Sequence, residues 1–311
     1  MKPEEITFDL CALCGQLSDL KASHIIPSFV FKWLRDSSAT GHIRFTGVPN
    51  QRVQDGWKPR MLCEACEQRF SVLEKAFAEK CFNPINNNAT TRIQYHPWML
   101  KFATSVSWRV LCFFKAIGAL PDFPAHQLSS IDDTLEIWGQ FLLGKREHPS
   151  IHEQHMFFVD AIESSSLLDM PANMNRYLLR ANEVYVAHTD DSVITYAKMG
   201  KFVLFGFVEM TNPRRWKGTK INAGKGFFGT RNIEVPKIIG DFLMDRAQRA
   251  ASKYAEISES QNAKIEASYL RNLDRAANSE TFRAMHQDVL LFGKEAFKAT
   301  KPKISPKDSS K

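Results

Sequence analysis

The chain has 311 residues, 44% hydrophobic and 24% charged, the balance of a folded globular protein rather than of a disordered or membrane-embedded one. Lys and Arg number 41 against 34 Asp and Glu, a formal charge of +7, and such an excess suits an anionic partner, nucleic acid above all. No run of about 18 apolar residues predicts a membrane span, and no apolar stretch follows the first residues as a signal peptide would. Six cysteines in a chain long enough to bury a core without cross-links point to a reducing compartment, so the expected location is cytoplasmic.

In chain order, Ile6, Phe8 and Leu10 alternate like a short strand, and Cys11-Ala12-Leu13-Cys14 forms a tight turn with Gly15 behind it. Ser23-His24-Ile25-Ile26-Pro27 follows, and Ser28 is placed to cap a helix carrying Phe29, Val30, Trp33 and Leu34. Residues 36–60 are polar and basic (Arg44, Arg52, Lys58, Arg60) and read as a loop or hairpin. Cys63-Glu64-Ala65-Cys66 comes next, and Phe70, Leu73, Phe77 and Cys81 then mark a helix ending near Asn83-Pro84. Trp98, Phe102, Val106, Val110, Phe113 and Ile117 recur at helical spacing, and Leu135 to Leu143 predicts a shorter helix. From about 155 the period changes to two. Residues 156–162, 177–187, 193–198 and 202–208 read as strands of an antiparallel sheet. Helices are expected again over 236–255, 261–277 and 279–298, and a disordered basic tail over 301–311.

Two C-x-x-C pairs supply four thiolates, the set that closes a tetrahedral shell around structural zinc, and Cys11, Cys14, Cys63 and Cys66 are the expected ligands. Cys81 and Cys112 fall within apolar helical patterns and read as small buried residues. Arg214, Arg215, Trp216, Lys217 and Lys220 could contact phosphates and stack one base; a solvated charged loop is the alternative. His148, His152 and His155 read as a solvated surface, and Gly224-Lys-Gly226-Phe-Phe-Gly229, with no strand–helix frame around it, as a flexible loop.

The succession Cys11-x-x-Cys14, Ser23-His24-Ile25-Ile26-Pro27, Leu62-Cys63-x-x-Cys66 resembles the HNH (His-Me finger) endonucleases over about residues 8–82. The remainder resembles uncharacterised bacterial proteins with such a finger at the N-terminus. The HNH resemblance implies a treble-clef zinc module: a knuckle, a hairpin, and a helix starting at the second knuckle. It also implies that His24 is a general base activating water, since an imidazole exchanges a proton near neutrality, with Mg²⁺ or Mn²⁺ on the scissile phosphate. The sequence departs from the family pattern at three places. Ser23 stands where an Asp, Glu or His metal ligand is usual, Glu67 where His or Asn is usual, and no Asn lies near Lys58. Glu67 is an oxygen donor that could hold Mg²⁺, or a first-turn acid favouring the helix dipole. Glu74, two turns on and about 10 Å along the axis, reads rather as a salt-bridge partner.

The expected architecture is therefore α+β: a zinc module over 1–95, a helix-plus-antiparallel-sheet body with a helical C-terminus over 96–300, and the tail 301–311. Two functions are open. One is a metal-dependent endonuclease hydrolysing phosphodiester bonds, with His24 and Glu67 in its active site. The other is a catalytically inactive, zinc-stabilised protein that binds nucleic acid or another protein, with His24 structural.

Overall fold

The computed structural model describes residues 6–167, 169–229 and 233–297, so the tail expected at 301–311 lies outside the described residues. In chain order the elements are β1 (Leu20–Ala22), α1 (Ser28–Asp36), β2 (Arg60–Cys63), α2 (Glu64–Phe77), α3 (Asn83–Asn86), β3 (Arg92–Tyr95), α4 (Trp98–Ala116), α5 (Ala125–Leu142), β4 (Gln154–Phe158), α6 (Met174–Arg180), β5 (Asn182–Thr189), β6 (Ser192–Met199), β7 (Phe202–Met210), β8 (Gly226–Gly229), α7 (Lys237–Tyr254), α8 (Glu259–Arg271), α9 (Leu273–Ala277) and α10 (Glu280–Phe292). The architecture is α+β, as the change of period predicts. Its antiparallel sheets are β1-β2, β3-β8 and the four-stranded β4-β7-β6-β5, and helices follow the last strand. Among the described residues no helix is long and apolar enough to cross a membrane.

Two compact units make up the chain. One comprises Met1–Phe31, Gly56–Val159 and Asn182–Val235, the other Lys32–Asp55, Asp160–Ala181 and Pro236–Lys311. In the first, α4 is the axis of the core. The predicted stripe is there, but burial runs round the helix: 14 of its 19 residues are buried, because α2, α5 and the four-stranded sheet all pack on it. Phe77 of α2 stacks on Phe102 with ring centres 4.0 Å apart and meets Phe202 of β7 edge-on at 5.1 Å. The helix expected to stop at Asn83-Pro84 instead passes through one wide turn at Ala78–Phe82 into α3. Pro84 sits in the first turn of α3, where its missing N–H is least costly.

The second unit corrects one strand. The sequence pattern predicts an extended 177–187, yet 174–180 form α6 and the strand begins only at Asn182. The cause is distant in sequence. The fully buried Asp288 of α10 accepts the backbone N–H groups of Asn175 at 2.7 Å and Arg176 at 3.2 Å, and its carboxylate pairs with the Arg176 side chain at 2.7 Å. A carboxylate on the first N–H groups of a helix satisfies orphan donors and meets the positive end of the dipole. Ser258 and Ser279 cap α8 and α10 through their hydroxyls.

Two sequence features take on packing roles in the first unit. The G-x-G-x-x-G stretch is a strand: β8 pairs with β3, and Gly226 lies opposite Tyr95. A Cβ on Gly226 would stand 2.3 Å from Tyr95 Oη, while that hydroxyl also accepts the Asn222 N–H at 3.1 Å. The histidines at 152 and 155 are not at the surface; they are 7% and 1% exposed. His155 is pinned between Thr219 Oγ1 at 2.8 Å and Glu153 Oε2 at 3.1 Å, with its ring 4.2 Å from that of Phe207. The arrangement suits a neutral ring whose Nε2–H donates to Glu153 while Nδ1 accepts from Thr219. The His155 donor, aided by Lys220, outweighs burial and holds the Glu153 carboxyl at about 2 rather than its ordinary 4.5.

Gly226→Ala is expected to cost about 1–3 kcal/mol by overpacking, read as a lower urea midpoint at unchanged slope. Glu153 sets an acid limit. Its folded value lies below its unfolded one, so its stabilisation is complete above about pH 4.5 and is lost as the pH falls toward 2. Allowing for its partial exposure, that loss is about 2 kcal/mol, and urea titrations at both ends of this window should show it in the wild type and not in Glu153→Gln.

Candidate metal centre

The site is built by two turns and the hairpin between them. Cys11 and Cys14 lie on a turn closed by the Gly15 N–H donating to the Cys11 carbonyl at 2.8 Å, with Gly15 at φ +72°. Cys63 ends β2 and Cys66 lies in the first turn of α2. The β1–β2 pairing sets Leu20 opposite Cys63 and Lys21 opposite Leu62. The Ala12 N–H donates to the Met61 carbonyl at 2.9 Å and the Cys63 N–H to Cys11 Sγ at 3.3 Å, which ties the first knuckle to the second. The knuckle, the antiparallel β1–β2 pair and the helix from the second knuckle follow in that order, with residues 23–59 joining the two strands.

All four Sγ atoms lie within 4.8 Å of one another, and those of Cys14 and Cys63 are 3.8 Å apart. Zinc–sulfur bonds of about 2.3 Å in a tetrahedron put sulfurs about 3.8 Å from each other, so the donor set fits zinc in chemistry and in size. No disulfide links these cysteines. Burial would raise the Cys11 thiol, but backbone N–H groups around it, that of Cys63 first, hold it lower, at about 7. Burial pushes the Cys66 thiol up, and the adjacent sulfurs of Cys63 and Cys11 add to the push. A divalent cation removes that conflict by neutralising sulfurs that would otherwise repel as thiolates. Cys81 is buried and Cys112 half-buried, and burial pushes each up to about 12, as for packing residues.

His24 lies on the extended segment that continues β1. The flanking N–H groups of Ser23 and Ile25 donate to the carbonyls of Pro59 and Trp57 at 2.9 and 3.1 Å, so the ladder runs past it. Ser23 and Ile25 are buried and His24 is half-buried. Its carbonyl accepts from Arg109 Nη1 at 2.6 Å, and the same nitrogen is 2.7 Å from Glu74 Oε1. Glu74 is thus a salt-bridge partner. Glu67 is half-buried, and its Oε2 accepts from Ser23 Oγ at 2.7 Å. Among the described residues, the four cysteines are the one group of three or more His, Cys, Asp or Glu side chains that converges at metal-binding distance. Sequence reasoning misses Arg109 as a member of this region. The signal that could have found it is a charge interrupting the apolar stripe of α4.

The basic cluster after β7 divides. Trp216 is 5% exposed, with its ring centre 5.1 Å from each of Phe205 and Phe207, so neither face is open to a base. Lys217 pairs with Glu234 at 2.7 Å and Lys220 with Glu153. Arg214 and Arg215 are exposed on a short 3₁₀ turn.

Purified protein is expected to carry about one zinc per chain by elemental analysis, and Cys63→Ser to carry far less and unfold at lower temperature. Cobalt(II) in place of zinc should give the absorption of a tetrahedral thiolate site. A metal-free wild type that melts like the zinc-loaded protein would refute the centre.

No protein-family model matches the chain, and neither a curated protein nor a solved structure does.

Proposed function

We propose that the protein is a metal-dependent, HNH-like endonuclease in which His24 takes a proton from the attacking water and Glu67 helps hold a divalent cation. The observation that carries this reading is a half-buried histidine on a fixed backbone. His24 is half-buried, its carbonyl is locked by Arg109, and Glu67 is fixed nearby in the chain fold through Ser23, the residue just before His24. A general base must be held in place while its ring meets solvent. Glu67 offers one carboxylate to a hard cation that keeps most of its waters, which suits Mg²⁺ or Mn²⁺ in kind. When bound, such a cation neutralises charge on the scissile phosphate and the leaving oxygen. Zinc in the thiolate shell takes no part in the reaction; the four cysteines hold the hairpin that presents His24. In this reading the net positive charge and the exposed Arg214 and Arg215 serve nucleic-acid binding.

One observation favours the second reading, a catalytically inactive zinc-stabilised binding protein. Ser23 is fully buried and occupies one Glu67 oxygen, so the position before His24 supplies a hydroxyl where a metal ligand would serve catalysis.

Plasmid nicking separates the two. With Mg²⁺ or Mn²⁺ the wild type should relax supercoiled DNA. His24→Ala should lose about 10²–10⁴-fold in rate with an unchanged zinc content and melting temperature, and Glu67→Gln should raise the metal concentration required. Equal cleavage by wild type and His24→Ala, or no cleavage by zinc-loaded wild type, would sink the nuclease reading and leave binding.

A further inference from the structure

The segment 42–54, within the stretch 36–60 read from sequence as a loop or hairpin, contains one isolated antiparallel bridge in the second unit. Ile43 and Val53 pair antiparallel, with the Val53 N–H donating to the Ile43 carbonyl at 3.0 Å. Alternation along a strand then puts His42, Arg44, Arg52 and Gln54 on one face, with Arg44 directly across from Arg52 and His42 across from Gln54. The Gln54 amide meets His42 Nδ1 at 3.2 Å, as this register requires. Like charges directly opposed across a ribbon are destabilising, and here two more cations adjoin the pair. The Arg275 guanidinium lies against Gly41, where a Cβ would meet its Nη2 at 3.3 Å, and Arg35 donates to the Gln54 carbonyl.

Among the described residues, no carboxylate forms an ion pair with Arg44, Arg52 or Arg275, although the Asp36 carboxylate is close enough to feel the charges of Arg275 and Arg35. Arg44 donates to the Pro49 carbonyl at 2.9 Å and to Gln261 Oε1 at 3.1 Å, Arg52 to the Lys264 carbonyl at 3.4 Å, and Arg275 to the carbonyls of Ser38 and Arg35 at 3.0 Å. Asp36, whose backbone oxygen Arg275 reaches at 3.5 Å, gives its own carboxylate to Lys32 at 2.5 Å. The crowding registers on the neighbours. Burial, then the charges of Arg52, Arg44 and Arg275, hold the His42 imidazole below its ordinary value, and burial followed by the Arg52 charge does the same to Arg44. Arg52 and Arg275 are exposed, and Arg44 and His42 half-buried, so an anion has access.

We propose that this face, with Arg44, Arg52 and Arg275 as its donors and His42 beside them, is a contact surface for the phosphodiester backbone of nucleic acid. It rests on the reading of the protein as one that acts on nucleic acid, and adds where the polymer is gripped. Guanidinium groups whose remaining N–H donors face water match phosphate oxygens in geometry as well as charge. Hydrogen bonds to neutral carbonyls fix the direction of each group without cancelling its charge. Arg214 and Arg215 belong to the other unit.

The test is the salt dependence of binding to a labelled duplex, without added divalent cation so that nothing is cut. Removing one arginine–phosphate interaction should flatten the slope of log affinity against log KCl by about 0.9. Arg52→Ala is expected to flatten it by about that much and Arg52→Ala/Arg275→Gln by about twice as much. Arg52→Glu should weaken binding at least about tenfold at roughly 50 mM KCl. Arg52 makes one long hydrogen bond from an exposed position, so its variants should melt like the wild type. Wild-type slopes in folded variants, or no binding by the wild type at low salt, would overturn the surface. Altered slopes in a protein that never nicks plasmid would keep the surface and remove the nuclease; His24-dependent nicking with unaltered slopes would do the reverse.

Discussion

A guanidinium that is 1% exposed constrains the region around His24 more than any other single group. Burying a cation costs several kcal/mol unless it is paired and hydrogen-bonded. Arg109 meets that demand with the Glu74 carboxylate, the His24 carbonyl and the Ser105 carbonyl, its Cζ 5.3 Å from the centre of the Phe70 ring. These partners lie on α2, on the segment after β1 and on α4 itself. One charge therefore joins the segment after β1 and the helix that follows the second cysteine pair to the axis of the core. Its Nη2 is buried without a hydrogen-bond partner among the described residues, so the acceptors that are present cannot be spared. The four-cysteine cluster lies at one end of the paired strands and Arg109 holds the His24 carbonyl, so a half-buried histidine sits on a fixed main chain.

What was legible in the sequence was chiefly what is set by local spacing. Two C-x-x-C turns announce four sulfurs at one point wherever the intervening 48 residues go, and the cluster is formed as the spacing requires. The aromatic stripe of α4 and the two-residue period of β6 and β7 are equally local. They came through as elements, although burial runs beyond the marked face: Thr195–Met199 of β6 and Phe202–Val208 of β7 are buried without alternation. Even so, the stripe understated α4. Thr104, Ser105, Ser107 and Arg109 are buried with it, because small polar residues let β7 approach. Gly206 there comes so near that an added Cβ would lie 2.6 Å from Ser107 Oγ.

What was not legible depended on partners far along the chain. Nothing within residues 174–180 specifies a helix over a strand; the carboxylate that caps it arrives from position 288. The histidines at 152 and 155 read as solvated from their spacing, yet Val208, Thr219 and Phe207 enclose them. Trp216 reads as the aromatic member of a basic cluster until the sheet supplies Phe205 and Phe207 to cover it. The arginines of 42–54 were visible as charges, but that two of them face each other follows only from the Ile43–Val53 pairing. In each instance the residue type was noticed and its role was settled by long-range packing.

The order in which the chain is made bears on the segment between the knuckles. Cys63 and Cys66 follow Cys11 and Cys14 early in synthesis, so the metal-binding set is complete after about a fifth of the chain. Residues 32–55, threaded between those cysteines, belong instead to the unit finished by residues beyond 236. Arg44 waits 217 residues for Gln261, roughly 10–40 s at ordinary rates of translation. Throughout that interval a nascent chain holds its four sulfurs ready while Arg44 has its local acceptor, the Pro49 carbonyl, but not Gln261. A polypeptide truncated before α7 would keep the cysteines and the contacts of Arg180 with Ser37 and Leu34, and would lose those that Arg44 and Arg52 make with α8.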